Sequence, residues 1–156
     1  MGMEIERKFT VKKLPEDLER FDHHMIEQAY LTDSPTIRVR REDDRYYMTY
    51  KGVGGGNTSL SHEEHNLPLT KEAYETLASK ADGNIIRKNR VLIPYGTDMI
   101  ELDIFDEPFA PLVIAEVEFA SVDDANDFSP PDWFDEDVTD RKEYRNAYLA
   151  FLKITG

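Results

Sequence analysis

The sequence predicts a mainly β protein of the α+β class, built on an antiparallel barrel or strongly curled sheet with peripheral helices. Two observations predict this fold class. Apolar and polar residues alternate with a period of two in about eight segments, which is the pattern of half-buried strands. Helical periodicity is confined to a few short stretches, one of which lies near the C-terminal end of the chain. Strands therefore form the body of the fold, and helices are additions to it.

The predicted strands lie near residues 4–11, 25–31, 36–41, 46–51, 60–67, 85–93, 99–105 and 113–119. The stretch 70–81 predicts a helix, because Thr70 suits an N-cap and apolar residues follow at helical spacing. Shorter helical turns are expected at 15–21 and 123–127, and a packing helix over 143–153. The glycine run at 52–56 predicts a hairpin connection between the fourth and fifth strands.

Length and charge limit the classes of function. The 156 residues predict one domain spanning 1–156. A formal net charge of -13, from 32 acidic and 19 basic residues, argues against nucleic acid and anionic membranes as partners. No apolar run approaches the roughly 20 residues of a membrane span, so a cytoplasmic protein is expected. Cysteine is absent, which excludes disulfides and thiolate metal sites. The protein could form a homodimer.

Charged residues occupy one face of most predicted strands, opposite an aliphatic face. A single strand of this kind is usually a strand with one solvated face. Here, however, like charges recur at positions i and i+2, where they repel unless an ion of opposite charge lies between them. Carboxylates from separate strands suit Mg²⁺ or Mn²⁺, and paired arginines match phosphate oxygens. A closed barrel with both sets pointing inward would hold a metal–polyphosphate complex.

These segments together resemble the CYTH superfamily, the triphosphate tunnel metalloenzymes. The resemblance covers nearly the whole chain and is carried, in order, by Glu4-Ile5-Glu6-Arg7-Lys8-Phe9, Tyr30-Leu31-Thr32, Ile37-Arg38-Val39-Arg40, Met48-Thr49-Tyr50-Lys51-Gly52, Ile86-Arg87-Lys88-Asn89-Arg90, Glu101-Leu102-Asp103, Ala115-Glu116-Val117-Glu118-Phe119 and the stretch from Val138 to Asn146. It implies an eight-stranded antiparallel closed β-barrel, a tunnel, with a C-terminal helix.

The resemblance also implies roles for individual residues. The metal ligands implied are Glu4, Glu6, Asp103, Glu116 and Glu118, with Glu64 and Glu101 as weaker candidates. Glu101 could instead orient an arginine. The triphosphate-binding residues implied are Lys8, Arg38, Arg40, Lys51, Lys88, Arg90 and Lys142. The catalytic residues implied are Lys8 and a pair formed by Tyr30 and Lys88, although Tyr30 could equally be a packing tyrosine.

The expected reaction is metal-dependent attack of water on a terminal phosphoryl group of a small-molecule triphosphate. Inorganic tripolyphosphate is the first choice, because the compact chain has few insertions that could grip a base or ring. Three alternatives stay open: cyclisation of ATP by a class IV adenylate cyclase, hydrolysis of thiamine triphosphate, and a module that binds polyphosphate or nucleotide without turnover.

Overall fold

The computed structural model describes residues 2–52 and 61–153. They form nine strands, three α-helices and two short 3₁₀ helices. The strands are β1 (Gly2–Val11), β2 (Asp22–Thr32), β3 (Thr36–Glu42), β4 (Arg45–Lys51), β5 (Ser61–Pro68), β6 (Ile86–Tyr95), β7 (Asp98–Phe105), β8 (Val113–Glu118) and β9 (Phe134–Asp137). The helices are α1 (Lys71–Ser79), α2 (Val122–Asp127) and α3 (Asn146–Phe151), with 3₁₀ helices at Leu18–Arg20 and Lys142–Tyr144.

The eight predicted strands are confirmed as β1 to β8, and β9 is an addition. The predicted helix at 70–81 is α1, and Thr70 is its N-cap, since the hydroxyl accepts from the backbone N–H of Ala73 at 3.1 Å. The C-terminal helix is shorter than predicted, because its first turn is replaced by the 3₁₀ helix Lys142–Tyr144. The predicted hairpin at 52–56 lies, beyond Gly52, outside the described residues.

All strand pairings are antiparallel, in the order β5-β4-β3-β2-β6-β7-β8-β1-β9. The first half of β1 also pairs with β5, with Glu4 opposite His62, and the second half pairs with β8. Strand β1 therefore connects β5, at the start of this order, to β8, near the end of the order.

The two faces of the sheet are unlike in chemistry. One face, here the outer face, is apolar and is covered by the peripheral elements. Helix α1 packs its Tyr74 against Ala29 and Val39 on β2 and β3. A larger cluster over β1 and β6 to β8 includes Phe9 and Phe134, the latter from β9. The other face carries the charged residues, so the fold reverses the usual arrangement of a surface sheet.

Helix α3 covers one end of the charged face. Its Ala147, Leu149 and Ala150 pack with Tyr30 and Phe105 in a third apolar cluster. Asn84 Nδ2 donates to the carbonyl of Leu149 in the helix at 3.0 Å and to that of its C-cap residue Leu152 at 2.7 Å, and so satisfies groups that a helix end leaves unpaired. No helix among the described residues has the length and apolar character needed to cross a membrane.

Candidate active site

The charged face lines a cavity of about 860 Å³. Strands β1 to β8 and the segment between β9 and α3 contribute to its wall. It contains most of the predicted site residues: Glu4, Glu6, Lys8, Tyr30, Arg38, Arg40, Lys51, Glu64, Arg90, Glu101, Glu116, Glu118 and Lys142. Asp103 and Lys88 lie behind this wall, since both are fully buried and neither lines the cavity. The strands thus bring residues far apart in sequence to one place.

Three of the predicted metal ligands form a carboxylate cluster. Glu4, Glu6 and Glu118 each present an oxygen within 4.8 Å of the others. The register explains this, because Glu6 lies directly opposite Glu118 and Glu4 is the next residue on the same face of β1. Burial and then the neighbouring carboxylates raise the pKa of Glu6 and of Glu118. A hard divalent cation would relieve this repulsion, so the donor set fits such an ion.

Lys51 lies beside this cluster. Its Nζ is 2.6 Å from Glu4 Oε1 and 4.0 Å from Glu64 Oε2. Burial raises the pKa of Glu4, against the opposing effect of Lys51. Glu64 also accepts from Asn66 Nδ2 at 3.2 Å. The predicted phosphate ligand Lys51 thus stands at the border between the acidic and basic halves of the cavity.

The other two predicted metal ligands, Asp103 and Glu116, lie among cations. Asp103 accepts from Arg90 Nε at 2.7 Å and Nη2 at 2.9 Å, and lies 2.7 Å from Lys88 Nζ. Glu116 is 3.5 Å from Lys8 Nζ and 3.3 Å from Arg90 Nη2. Although burial acts in the opposite direction, Lys8 and Arg90 hold the pKa of Glu116 well below its usual range. Both carboxylates are thus ionised partners of basic residues.

Glu101 contacts the same arginine, with Oε2 at 3.2 Å from Arg90 Nη1. Burial raises the pKa of Glu101 to about 8, and the nearby carboxylates of Glu116 and Glu118 add to this effect, while Arg90 opposes it. The geometry therefore supports the alternative in which Glu101 orients an arginine.

The two members of the predicted Tyr30–Lys88 pair have different neighbours. Lys88 Nζ donates to Asn146 Oδ1 at 3.1 Å, lies over the Phe105 ring at 5.2 Å, and pairs with Asp103. Burial lowers the pKa of Lys88 to about 8. Tyr30 interacts instead with Arg38 and Lys8. Lys8 and Arg38 are thus cations that lie near Tyr30.

Arg38 and Arg40 differ from Arg90 in their partners. Arg38 Nη2 donates to Thr49 Oγ1 at 3.1 Å, and Arg40 Nε donates to Gln28 Oε1 at 2.7 Å. Arg40 Nη1 also donates to the Tyr47 hydroxyl at 3.3 Å. Both arginines are buried, and the hydrogen bonds recorded for them in the described part of the chain go to neutral groups. Buried cations held by neutral acceptors are well suited to bind an anion.

The segment after β9 forms the rest of the wall. Lys142 lines the cavity together with Thr139, Arg145 and Asn146. Thr139 ties this segment to β1, because its hydroxyl accepts from the backbone N–H of Lys8 at 3.0 Å. A predicted phosphate ligand thus reaches the cavity from the C-terminal part of the chain.

Sequence reasoning missed the neutral residues that hold the arginines, Gln28 and Thr49. Each offered a signal, because Gln28 shares a face of its strand with Tyr30, and Thr49 with Lys51. Neither is charged, however, so neither belongs to the pattern of paired charges from which the site was predicted.

The comparisons with known proteins agree with this geometry. The model of the CYTH domain matches residues 2–119. A Nitrosomonas europaea protein named inorganic triphosphatase is 38% identical over 154 residues, which are 94% of this chain and 96% of that protein. An Acetivibrio thermocellus protein of the same name is 32% identical over 157 residues, covering 96% and 94%. A crystal structure of an inorganic triphosphatase superposes with a TM-score of 0.71 at 33% identity, covering 100% of this chain and 99% of that one. The chain therefore belongs to the CYTH domain family.

Proposed function

We propose that this protein hydrolyses a triphosphate, with inorganic tripolyphosphate as the substrate, in a tunnel of a single CYTH-type domain with bound Mg²⁺ or Mn²⁺. The pairing of β1 with both β5 and β8 supports a closed eight-stranded barrel around the cavity. Two relatives that match nearly the whole chain are named inorganic triphosphatase, which supports the choice of substrate.

One observation carries the proposal: a single cavity holds a three-carboxylate cluster and two buried arginines whose recorded hydrogen bonds go to neutral groups. Pure anion capture gains nothing from carboxylates in the cavity, because they repel the ligand. A divalent cation held by the carboxylates would offset this repulsion and would let the acidic and the basic residues act on one ligand. A metal-bound polyphosphate satisfies this combination.

The position of each residue in the cavity indicates its role. Glu4, Glu6 and Glu118 would hold the ion, with Glu64 as a weaker neighbour. An ion held there would supply Lewis-acid stabilisation of the negative charge that develops on the phosphoryl groups. Arg38, Arg40, Lys51 and Lys142 hold the phosphate chain in line.

The remaining residues of the site support these groups. Tyr30, beside Lys8 and Arg38, orients the attacking water at the end of the chain. Three acidic residues act through the basic side chains of Arg90 and Lys8, whose positions they fix: Asp103, Glu116 and Glu101. Lys88 contributes from behind the wall by its contacts with Asp103 and Asn146.

Phosphate release from tripolyphosphate, ATP and thiamine triphosphate tests the proposal, each with Mg²⁺, with Mn²⁺ and with EDTA. The expected result is the highest kcat/KM for tripolyphosphate and no turnover in EDTA. Cyclic AMP as the dominant product from ATP would overturn the hydrolase in favour of a cyclase. Binding of tripolyphosphate with no turnover of any triphosphate would instead indicate a module that binds without catalysis.

A further inference from the structure

The buried arginines of the cavity are held in two different ways. Arg90 lies opposite Asp103 in the register of β6 and β7, and its Nε and Nη2 donate to both oxygens of that carboxylate. Glu101 and Glu116 approach the same guanidinium. The charge of Arg90 is therefore compensated by the protein itself, and little of it remains for a ligand.

Arg40 lies opposite Gln28 in the register of β2 and β3, and Arg38 lies opposite Thr49 in the register of β3 and β4. Each of these neutral residues is fully buried and accepts from its arginine, Gln28 Oε1 from Arg40 Nε and Thr49 Oγ1 from Arg38 Nη2. The same cross-strand position that holds a carboxylate beside Arg90 thus holds an uncharged acceptor beside Arg38 and Arg40.

In the protein without ligand, the amide of Gln28 is not the most stabilising partner for Arg40. The Nε2 donor of Gln28 is buried and has no hydrogen-bond partner among the described residues, and the same holds for Nε of Arg38. A carboxylate at position 28 would remove one unpaired donor and add an ion pair with Arg40. Buried polar groups are normally paired, so an unpaired donor here points to a requirement other than stability.

We propose that Gln28 and Thr49 are positioning residues, which fix the guanidinium groups of Arg40 and Arg38 towards the cavity without neutralising them. A hydrogen bond to Nε sets the plane of the Arg40 guanidinium and leaves Nη2 for a phosphate oxygen, while Nη1 contacts Tyr47. The full charge of both arginines is thereby kept for the substrate. This inference rests on the proposed function, because it assigns these residues to binding of the triphosphate.

The test is Gln28→Glu, which keeps the shape and the acceptor but adds a negative charge. We expect the KM and Kd for tripolyphosphate to rise roughly tenfold or more, because the new carboxylate competes with phosphate for Arg40, while kcat changes less. The thermal unfolding midpoint in EDTA should stay equal or rise. Gln28→Leu, which keeps Arg40 charged but removes its acceptor, should lower that midpoint and raise Kd less than Gln28→Glu does.

The matched control is Asn126→Asp, which makes the same change of charge at an exposed position of α2, outside the cavity. Its KM should equal that of the unaltered protein. A Gln28→Glu variant with unchanged Kd, or losses of affinity that follow losses of stability across the two position-28 variants, would overturn the inference while hydrolysis by the unaltered protein stands. Failure of the unaltered protein to hydrolyse or bind tripolyphosphate would instead overturn the proposed function.

Discussion

The carboxylates of the cavity differ in what surrounds them. Glu6 faces Glu118 across the strand pair, whereas Asp103 faces Arg90. Both sets occur in the sequence as alternating acidic pairs, and the family resemblance implied that all five residues are metal ligands. Sequence alone cannot separate them, because the neighbour of each side chain is set by the register between strands that are distant in the chain. The three-residue cluster is the part of the prediction that the geometry supports most directly.

Replacement of Glu118 by alanine tests this cluster. Loss of one of three clustered carboxylates should weaken Mn²⁺ binding and lower turnover about a hundredfold, the scale of losing a group that stabilises developing charge. Binding of tripolyphosphate should persist, since the basic residues remain. Isothermal titration and phosphate release measure the two effects. Glu75→Ala, which removes an exposed carboxylate from α1, is the control, and equal turnover in both variants would place the metal elsewhere.

Glu101→Gln tests the raised pKa of the buried carboxyl. The pKa of Glu101 is about 8 in the folded protein, against an ordinary value of 4.5. Between these two pH values, the carboxyl group therefore carries a proton in the folded state but not in the unfolded state. The stability due to this proton is complete below about pH 4.5 and is lost as the pH rises through 8.

The Gln variant cannot lose this proton. Its free energy of unfolding in EDTA should therefore exceed that of the unaltered protein increasingly from pH 5 to 9, by on the order of 5 kcal/mol at the upper end. Urea unfolding across this range measures the difference. A constant difference at every pH would show that Glu101 titrates normally.

Among the secondary-structure elements, strands β1 to β8 were predicted more accurately than β9 and the helices. Period-two alternation located β1 to β8 within a few residues, because each strand buries an apolar face beneath helices or β9. Strand β9 was missed, since only Phe134 of its four residues is buried. Helix α1 carried an N-cap and an apolar stripe. An apolar stripe also predicted α3, but not its later start at Asn146, because the residues against which it docks, Tyr30 and Phe105, are distant in the chain.

Gly83→Ala tests the docking of α3. A Cβ at Gly83 would clash with the backbone carbonyl of Ala150, so the helix would have to move away from its cluster. We expect a loss of about 2 kcal/mol in the free energy of unfolding, on the scale of a disturbed packing contact. Chemical denaturation provides the measurement. Asp82→Ala, at the exposed neighbouring position, should be nearly neutral, and equal stability of the two variants would contradict the close approach of Gly83 to α3.

Over the whole molecule, the net charge is negative, whereas the cavity contains buried positive charge. The chain carries a net charge of -13, yet Arg38 and Arg40 bring buried positive charge to the cavity. The overall field should therefore repel a polyanion at long range, while the cavity attracts it at short range.

The association rate of tripolyphosphate should consequently rise as salt is increased from low values to about 0.1 M, where screening acts beyond about 10 Å. Stopped-flow measurements over this range test the expectation at constant free Mg²⁺. A rate that falls steadily with added salt would show that the local field of the cavity dominates at all distances.

We propose that Glu4, Glu6 and Glu118 hold a divalent ion beside a triphosphate that is bound by Arg38 and Arg40. A crystal structure with tripolyphosphate and Mn²⁺, with the manganese located by its anomalous signal, tests it most directly. We expect a manganese peak among the three carboxylates, and phosphate oxygens within hydrogen-bond distance of both guanidinium groups. A peak between Asp103 and Glu116, or a triphosphate bound outside the cavity, would contradict it.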